Sequence, residues 1–245
     1  MKTLLEKVEL IDDVLDTYLR ILMHDSRQSG SPHKVISLHT EVATSWWAFF
    51  DGGNARFSKM SKLDKLSDWR QMQQLVTERT NTWLVEFTAD DITTARYVFL
   101  PLNSNNHWTL LVLDLQSKKF LHFNSLRTAY RNVIAARLAS CLYWWVKDSC
   151  SVELPAKYKV ENVRCEQQTN SLDCGIFTMF FAERLTNDGK GRFASAPDPT
   201  WMRPYVAARI LKDRFCTIHE EVNEILKQAA LESVDKVIEG SLSNK

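Results

Sequence analysis

No apolar run in this 245-residue chain approaches the roughly 18 residues that a bilayer-spanning helix requires. The opening stretch MKTLLEKVELIDD carries acids where a signal peptide needs an apolar core, so neither a membrane span nor a secretory leader is expected. An excess of one charge is missing as well. The chain has 31 basic against 30 acidic residues and a formal net charge of +1, which offers no electrostatic case for nucleic acid as a partner. Cysteines are few, at 141, 150, 165, 174 and 216, and an odd number excludes a complete disulfide set. Their spacing contains no short C-x-x-C clamp, so no metal site is expected, and no motif calls for a cofactor. Free thiols of this kind belong in a reducing cytosol. There are no internal repeats and no low-complexity segments.

What is present suits one compact unit. At 44% hydrophobic and 25% charged, the chain can bury a full core as a single domain over residues 1–245. Leu4, Val8, Ile11, Leu15, Tyr18 and Leu22 recur at the spacing of an amphipathic helix, ended by the 28–32 stretch. Strands are predicted at 35–38, 97–102, 108–115, 119–123 and 157–165, with a tight Gln-Ser-Lys turn between the third and fourth. A helix is predicted over 127–147, with Ile134, Leu138, Cys141 and Trp145 on one face, and two more from Thr200 and Thr217. The 45–50 stretch reads as a helix or buried loop, DGGN at 51–54 as a turn, 58–68 as charged and solvent-exposed, and 187–199 as a loop rich in Gly and Pro. Trp46, Trp47, Trp144 and Trp145 read as core anchors.

The segment CEQQTNSLDCGIFTMFFAE, from Cys165 to Glu183, sets Cys174 between an aspartate and a glycine at a predicted strand-to-helix junction. In the first turn of that helix, unpaired amides and the positive dipole end favour a thiolate by about 0.3 to 1 kcal/mol, with Asp173 as N-cap. Upstream, NNHWTLLVLDLQSKKFLHFNSL puts His107 at the head of one apolar strand and Asn124 at the tail of the next, so a hairpin brings them side by side. His107 beside the thiolate is a proton acceptor, Asn124 would orient its ring, and Gln168 with the Cys174 amide could donate to an oxyanion. Neighbouring Gln167 offers the same amide. Asp114 lies too far along the extended strand from His107 to serve as a triad acid, and a structural role is expected for it.

These segments resemble the Ulp-like cysteine peptidases of clan CE, which process ubiquitin-like modifiers and include the SUMO proteases and deneddylases. The resemblance is carried by His107-Trp108, by LVLDL followed by HFNSL where the family usually has Tyr-Asp-Ser-Leu, and by QTNSLDCGIF where it usually has Gln-x-Asn-Gly-x-Asp-Cys-Gly-x-Phe. Weaker echoes lie in ELIDDVLDTYLRIL and DPTWMRPYVAARIL, so coverage runs over roughly residues 8–212. The resemblance implies an α+β, papain-like fold, in which a small mixed sheet packs against the helix carrying the catalytic cysteine, with flanking helices. It implies Cys174, His107, Asn124 and Gln168 as catalytic residues and Trp108 as a contact for the substrate's tail. It implies ubiquitin or a ubiquitin-like protein as partner of a monomer in the cytoplasm or nucleus of a eukaryotic cell, reached by translocation if the source is bacterial.

Four departures stand out. Asn124 replaces the family's usual Asp, and Ser171 and Leu172 stand where a glycine would help the oxyanion loop turn, Asn170 being the tolerant neighbour. Glu9 falls where many relatives have Trp, and the 46–91 span is a long polar insertion without a counterpart, in which substrate choice is expected to reside. Two other readings stay open: an acyltransferase using the same thiol, and a modifier-binding module with little or no turnover, to which Asn124, Ser171 and Glu9 point together.

Overall fold

Alternation along the central strands divides the molecule into two cores. The computed structural model describes residues 9–28, 30–77, 87–126, 129–150 and 152–212. In it Tyr97, Phe99, Trp108, Leu110 and Val112 point to one face of the sheet. Val98, Leu100, Leu111 and Leu113 point to the other. Both faces are apolar because both are covered, so these strands are near-continuous hydrophobic runs rather than half-polar ones.

The sheet has five strands in the order β1 (Val35–Ser37), β2 (Tyr97–Ser104), β3 (His107–Asp114), β4 (Lys119–Phe123) and β5 (Val160–Asn162). β1 pairs with β2 and β4 with β5 in parallel, while β2, β3 and β4 form an antiparallel meander. The first face is covered by α1 (Asp12–Ser26), α6 (Cys174–Thr186) and α7 (Pro199–Lys212). The second is covered by α2 (Thr40–Ala48), α3 (Leu66–Thr77) and α5 (Ala129–Ser149), with the short α4 (Ala89–Thr94) between α3 and β2. This is an α+β fold with a mixed sheet against the cysteine-bearing helix.

Several local expectations are corrected. The leading helix begins only at Asp12, and Ile11, expected on its apolar face, is half exposed; Leu4 and Val8 lie outside the described residues. The 58–68 stretch is not simply solvated. Leu63 is buried between α5 side chains, its amide donating to Ser140 Oγ at 2.8 Å and its carbonyl accepting from Trp144 Nε1 at 3.0 Å. Asp68 is buried on Arg56. Helix α3 was not anticipated, although Trp69, Met72 and Val76 recur every three to four residues and all are buried. Helix α4 is only six residues, defined by a capping box between Thr88 and Asp91. The predicted 157–165 strand shrinks to β5, after which the chain leaves the sheet so that the Gln168 amide reaches the Ser125 carbonyl at 3.0 Å. The helix expected from Thr217, and Cys216, lie outside the described residues.

Other expectations match. Ile134, Leu138, Cys141 and Trp145 are all buried on one face of α5, and Trp46 is fully buried, with Trp47 and Trp144 partly so. Asp114 serves structure: its Oδ1 accepts from the amides of Gln116 and Ser117 at 3.0 and 3.1 Å, closing the β3–β4 turn. The described part of the 46–91 span packs with α5 on the face opposite α6.

Candidate active site

A two-residue turn starts the site. Asn105 and Asn106 both take left-handed backbone, with φ of 51° and 55°, and Ser104 pairs with His107 across them. That is the primed hairpin turn whose twist matches the strands, and asparagine tolerates it better than other residues with a Cβ. It delivers His107 as the first residue of β3, where the ring is buried, 3% exposed.

Asn124 follows the last residue of β4 and meets that ring, its Oδ1 standing 2.9 Å from His107 Nε2. The same Oδ1 accepts from the Leu126 amide at 2.9 Å, which identifies it as the oxygen end of the side-chain amide. An acceptor at that position requires Nε2 to carry a proton, so in the neutral ring Nδ1 is the basic nitrogen. Asn124 is itself anchored through its backbone carbonyl, which accepts from Gln167 Nε2 at 3.0 Å and from Cys165 Sγ at 3.4 Å.

Cys174 is the first residue of α6 and is 2% exposed. Its sulfur lies 3.9 Å from the Asn106 carbonyl and also faces the backbone amide of Trp108. The thiol therefore sits against the 106–108 segment, whose middle residue is His107. Burial pushes the Cys174 thiol above its ordinary value, and the Glu9 carboxylate adds to the rise; the amides of Trp108, Gly175 and Cys174 itself pull it down without reversing the direction. Desolvation thus outweighs the amides of the helix end, and the small helix-terminal preference expected for the thiolate does not by itself lower the thiol.

Asp173 occupies the N-cap position but makes no side-chain cap. Its Oδ1 instead accepts from Arg203 Nε and Nη2 at 2.9 and 2.6 Å, and its Oδ2 from Asn170 Nδ2 at 2.6 Å. Arg203 also donates to the Leu172 carbonyl at 3.3 Å. The loop before Cys174 takes no left-handed residue. Asn170 shapes it in another way, its Oδ1 accepting from the amides of Leu172 and Asp173 at 2.8 and 3.1 Å.

The two glutamines part company here. Gln168 is buried, with Oε1 accepting from Ser125 Oγ and Nε2 donating to the Asn170 carbonyl, both at 2.5 Å. One of its two amide protons is thereby committed within the loop. Gln167 turns to the Asn124 and Cys165 carbonyls and takes the supporting role.

Trp108 is buried, 2% exposed, and its indole N–H donates to the Leu10 carbonyl at 3.1 Å, which ties the strand carrying His107 to the leading segment. The participants that sequence reasoning missed are Arg203 and Ser125, while Asn170, expected to ease the loop through a left-handed backbone, acts through its side chain instead. Arg203 left one signal, a lone cation between Met202 and Val206 on an apolar helix face. Ser125 looks like an ordinary loop residue.

Comparison with known proteins places the fold and the family. Solved structures share the fold: the C-terminal Ulp1 protease domain in complex with Smt3, the yeast ortholog of SUMO, superposes with a TM-score of 0.54 at 17% identity over 84% of this chain and 77% of that one. The Xanthomonas campestris effector protein XopD bound to ubiquitin gives 0.50 at 20% identity, covering 82% and 90%. Among curated proteins, putative ubiquitin-like-specific protease 1B of Arabidopsis thaliana is 25% identical over 207 residues, 84% of this chain and 54% of that protein. Ubiquitin-like-specific protease 1A of the same plant is 30% identical over 184 residues, 71% of this chain and 31% of that protein. The chain thus spans about half or less of these relatives. No helix among the described residues is long and apolar enough to cross a membrane. The model of the Ulp1 protease family's C-terminal catalytic domain matches residues 9–218, and the chain belongs to that family.

Proposed function

We propose that this chain is a cysteine peptidase that cleaves ubiquitin or a ubiquitin-like modifier, of SUMO or NEDD type, after its C-terminal glycine. The observation that carries the proposal is the 2.9 Å contact of His107 Nε2 with Asn124 Oδ1, made beside a helix-terminal cysteine whose sulfur abuts the 106–108 backbone. Nδ1 of His107 takes the Cys174 proton, and the sulfur attacks the glycine carbonyl carbon. The tetrahedral oxyanion is held by the Cys174 amide and by the second proton of Gln168 Nε2. The carbon–nitrogen bond breaks as the imidazolium protonates the leaving amine, giving a thioester. Water, deprotonated by His107, then adds to the thioester, and the thiol leaves with its proton restored. Solved relatives held with Smt3 and with ubiquitin support a modifier-sized substrate.

A second reading, a binding module with slow or no turnover, draws on the buried sulfur, whose thiol burial pushes above its ordinary value and so disfavours the thiolate. One experiment separates the two. The purified chain is incubated with ubiquitin, SUMO and NEDD-type modifiers bearing an electrophilic C-terminus, beside Cys174→Ala. A covalent adduct on the parent chain and none on the variant, with modifier binding retained, supports the peptidase. No adduct with any modifier ends that reading, and which modifier reacts identifies the substrate.

A further inference from the structure

The loop from Gln168 to Asp173 contains no glycine and no left-handed residue, yet its geometry is completely specified by side chains. Gln168 hangs from the carbonyl of Asn170 and from Ser125 Oγ. Asn170 is oriented by its own bonds to the Leu172 and Asp173 amides and by its Nδ2 on Asp173 Oδ2. Asp173 in turn is gripped through its other oxygen by two N–H groups of Arg203, from helix α7. Arg203 is 4% exposed and Asp173 7%, so neither solvates if the other leaves. A single belt of hydrogen bonds therefore runs from α7 through Asp173, Asn170 and Gln168 to Ser125, which adjoins Asn124 and its contact with His107.

We propose that Arg203 is a positioning residue for the reaction: acting through Asp173 and Asn170, its guanidinium sets where the Gln168 amide stands beside Cys174, in place of a glycine turn. This rests on the reading above, in which Gln168 serves the oxyanion. Arginine suits the task because two of its donors converge on one carboxylate oxygen while Nη2 also takes the Leu172 carbonyl, fixing position as well as charge. A buried ion pair that only held α7 to α6 would alter stability and leave the chemical step alone.

The test compares parent, Arg203→Met, Asp173→Asn/Arg203→Met, Gln168→Ala and Gln168→Ala/Arg203→Met on a fluorogenic modifier substrate. Iodoacetamide alkylation of Cys174 across pH is followed in parallel. Arg203→Met should lower kcat about 100-fold with KM within about 2-fold, since small misplacements near reacting atoms cost that much. Asp173→Asn/Arg203→Met, which leaves no lone buried charge and keeps an acceptor for Asn170, should lose only about 10-fold. Arg203→Met should not worsen Gln168→Ala, and the alkylation profile of Cys174 should not move. Losses that multiply with Gln168→Ala, losses carried by KM, or kcat at the parent level overturn the proposal. If Arg203→Met does not fold, Asp173→Asn/Arg203→Met carries the same comparison. A parent chain that turns over no modifier removes the peptidase reading and this inference together, whereas a parent that turns over while both Arg203 variants match it removes this inference alone.

Discussion

Histidine 107 and asparagine 124 are tied by one hydrogen bond, and the bond's direction decides the chemistry. Because Oδ1 of Asn124 is already fixed by the Leu126 amide, the ring donates from Nε2 and its base lies at Nδ1. Asparagine orients without adding a full negative charge, so its loss removes orientation but not the base. On a fluorogenic modifier substrate, His107→Ala should lower activity by about 10³-fold and Asn124→Ala by about 10- to 100-fold. A larger loss from Asn124→Ala than from His107→Ala refutes the assignment. A second histidine behaves differently. His122 is fully buried on β4, 3.2 Å from Asn162 Oδ1, and burial pushes its pKa below the ordinary value. A depressed folded-state pKa means that the unfolded chain binds the proton more readily; stability is whole above about 6.5 and is lost as pH falls. The fall in melting temperature between pH 7 and 5 should therefore be smaller in His122→Gln, which keeps a polar group for Asn162. An equal fall in both chains discards this site as the acid trigger.

At the scale of elements, the site is a junction of a hairpin, a helix start and a leading segment. The hairpin that joins His107 to Asn124 was legible in the sequence because its signals are local: two apolar runs, a tight Gln-Ser-Lys turn and a fixed interval from His107 to Asn124. The start of α6 was legible in position but not in its capping, since Asp173 faces Arg203 and not its own helix. Gly175 shows what the leading segment demands. A Cβ built there would lie 2.9 Å from Leu10 Cδ1 and 3.1 Å from Leu10 Cβ, so the helix approaches residue 10 more closely than any larger side chain permits. Gly175→Ala should cost about 1 to 3 kcal/mol, read as a lower melting temperature, and Leu10→Ala in the same chain should recover part of that loss. Additive losses in the double variant show that the two residues do not meet.

For the whole molecule, the first core is fastened by a buried carboxylate that no local pattern marks out. Glu183 on α6 accepts from Tyr18 Oη on α1, from Tyr205 Oη at 2.7 Å and from Arg209 Nη1 at 2.7 Å on α7, joining three helices at one point. Glu183→Ala leaves Arg209 with Tyr205 Oη and the half-exposed Asp25 and removes the acceptor of two tyrosine hydroxyls, which should cost about 1 to 3 kcal/mol, seen as a lower urea midpoint with unchanged slope. A midpoint within the error of the parent would show that the cluster is dispensable. The described part of the 46–91 span contributes to the second core instead, Trp46 and Trp69 meeting edge to face at 5.6 Å on the side of the sheet away from α6.

Sequence alone determined the strands that meet in the hairpin and the apolar face of α5, and it singled out the four residues proposed for the chemistry, because each is written in neighbouring positions or in a fixed interval. Tertiary structure alone decided that burial raises the Cys174 thiol, that Trp108 lies beneath Leu10, that Gln168 and not Gln167 faces the loop, and that Arg203 and Glu183 are held by distant partners. Desolvation and hydrogen-bond pairing across 30 residues or more depend on which helices pack together, as Arg203 and Asp173 do, and no local pattern encodes that.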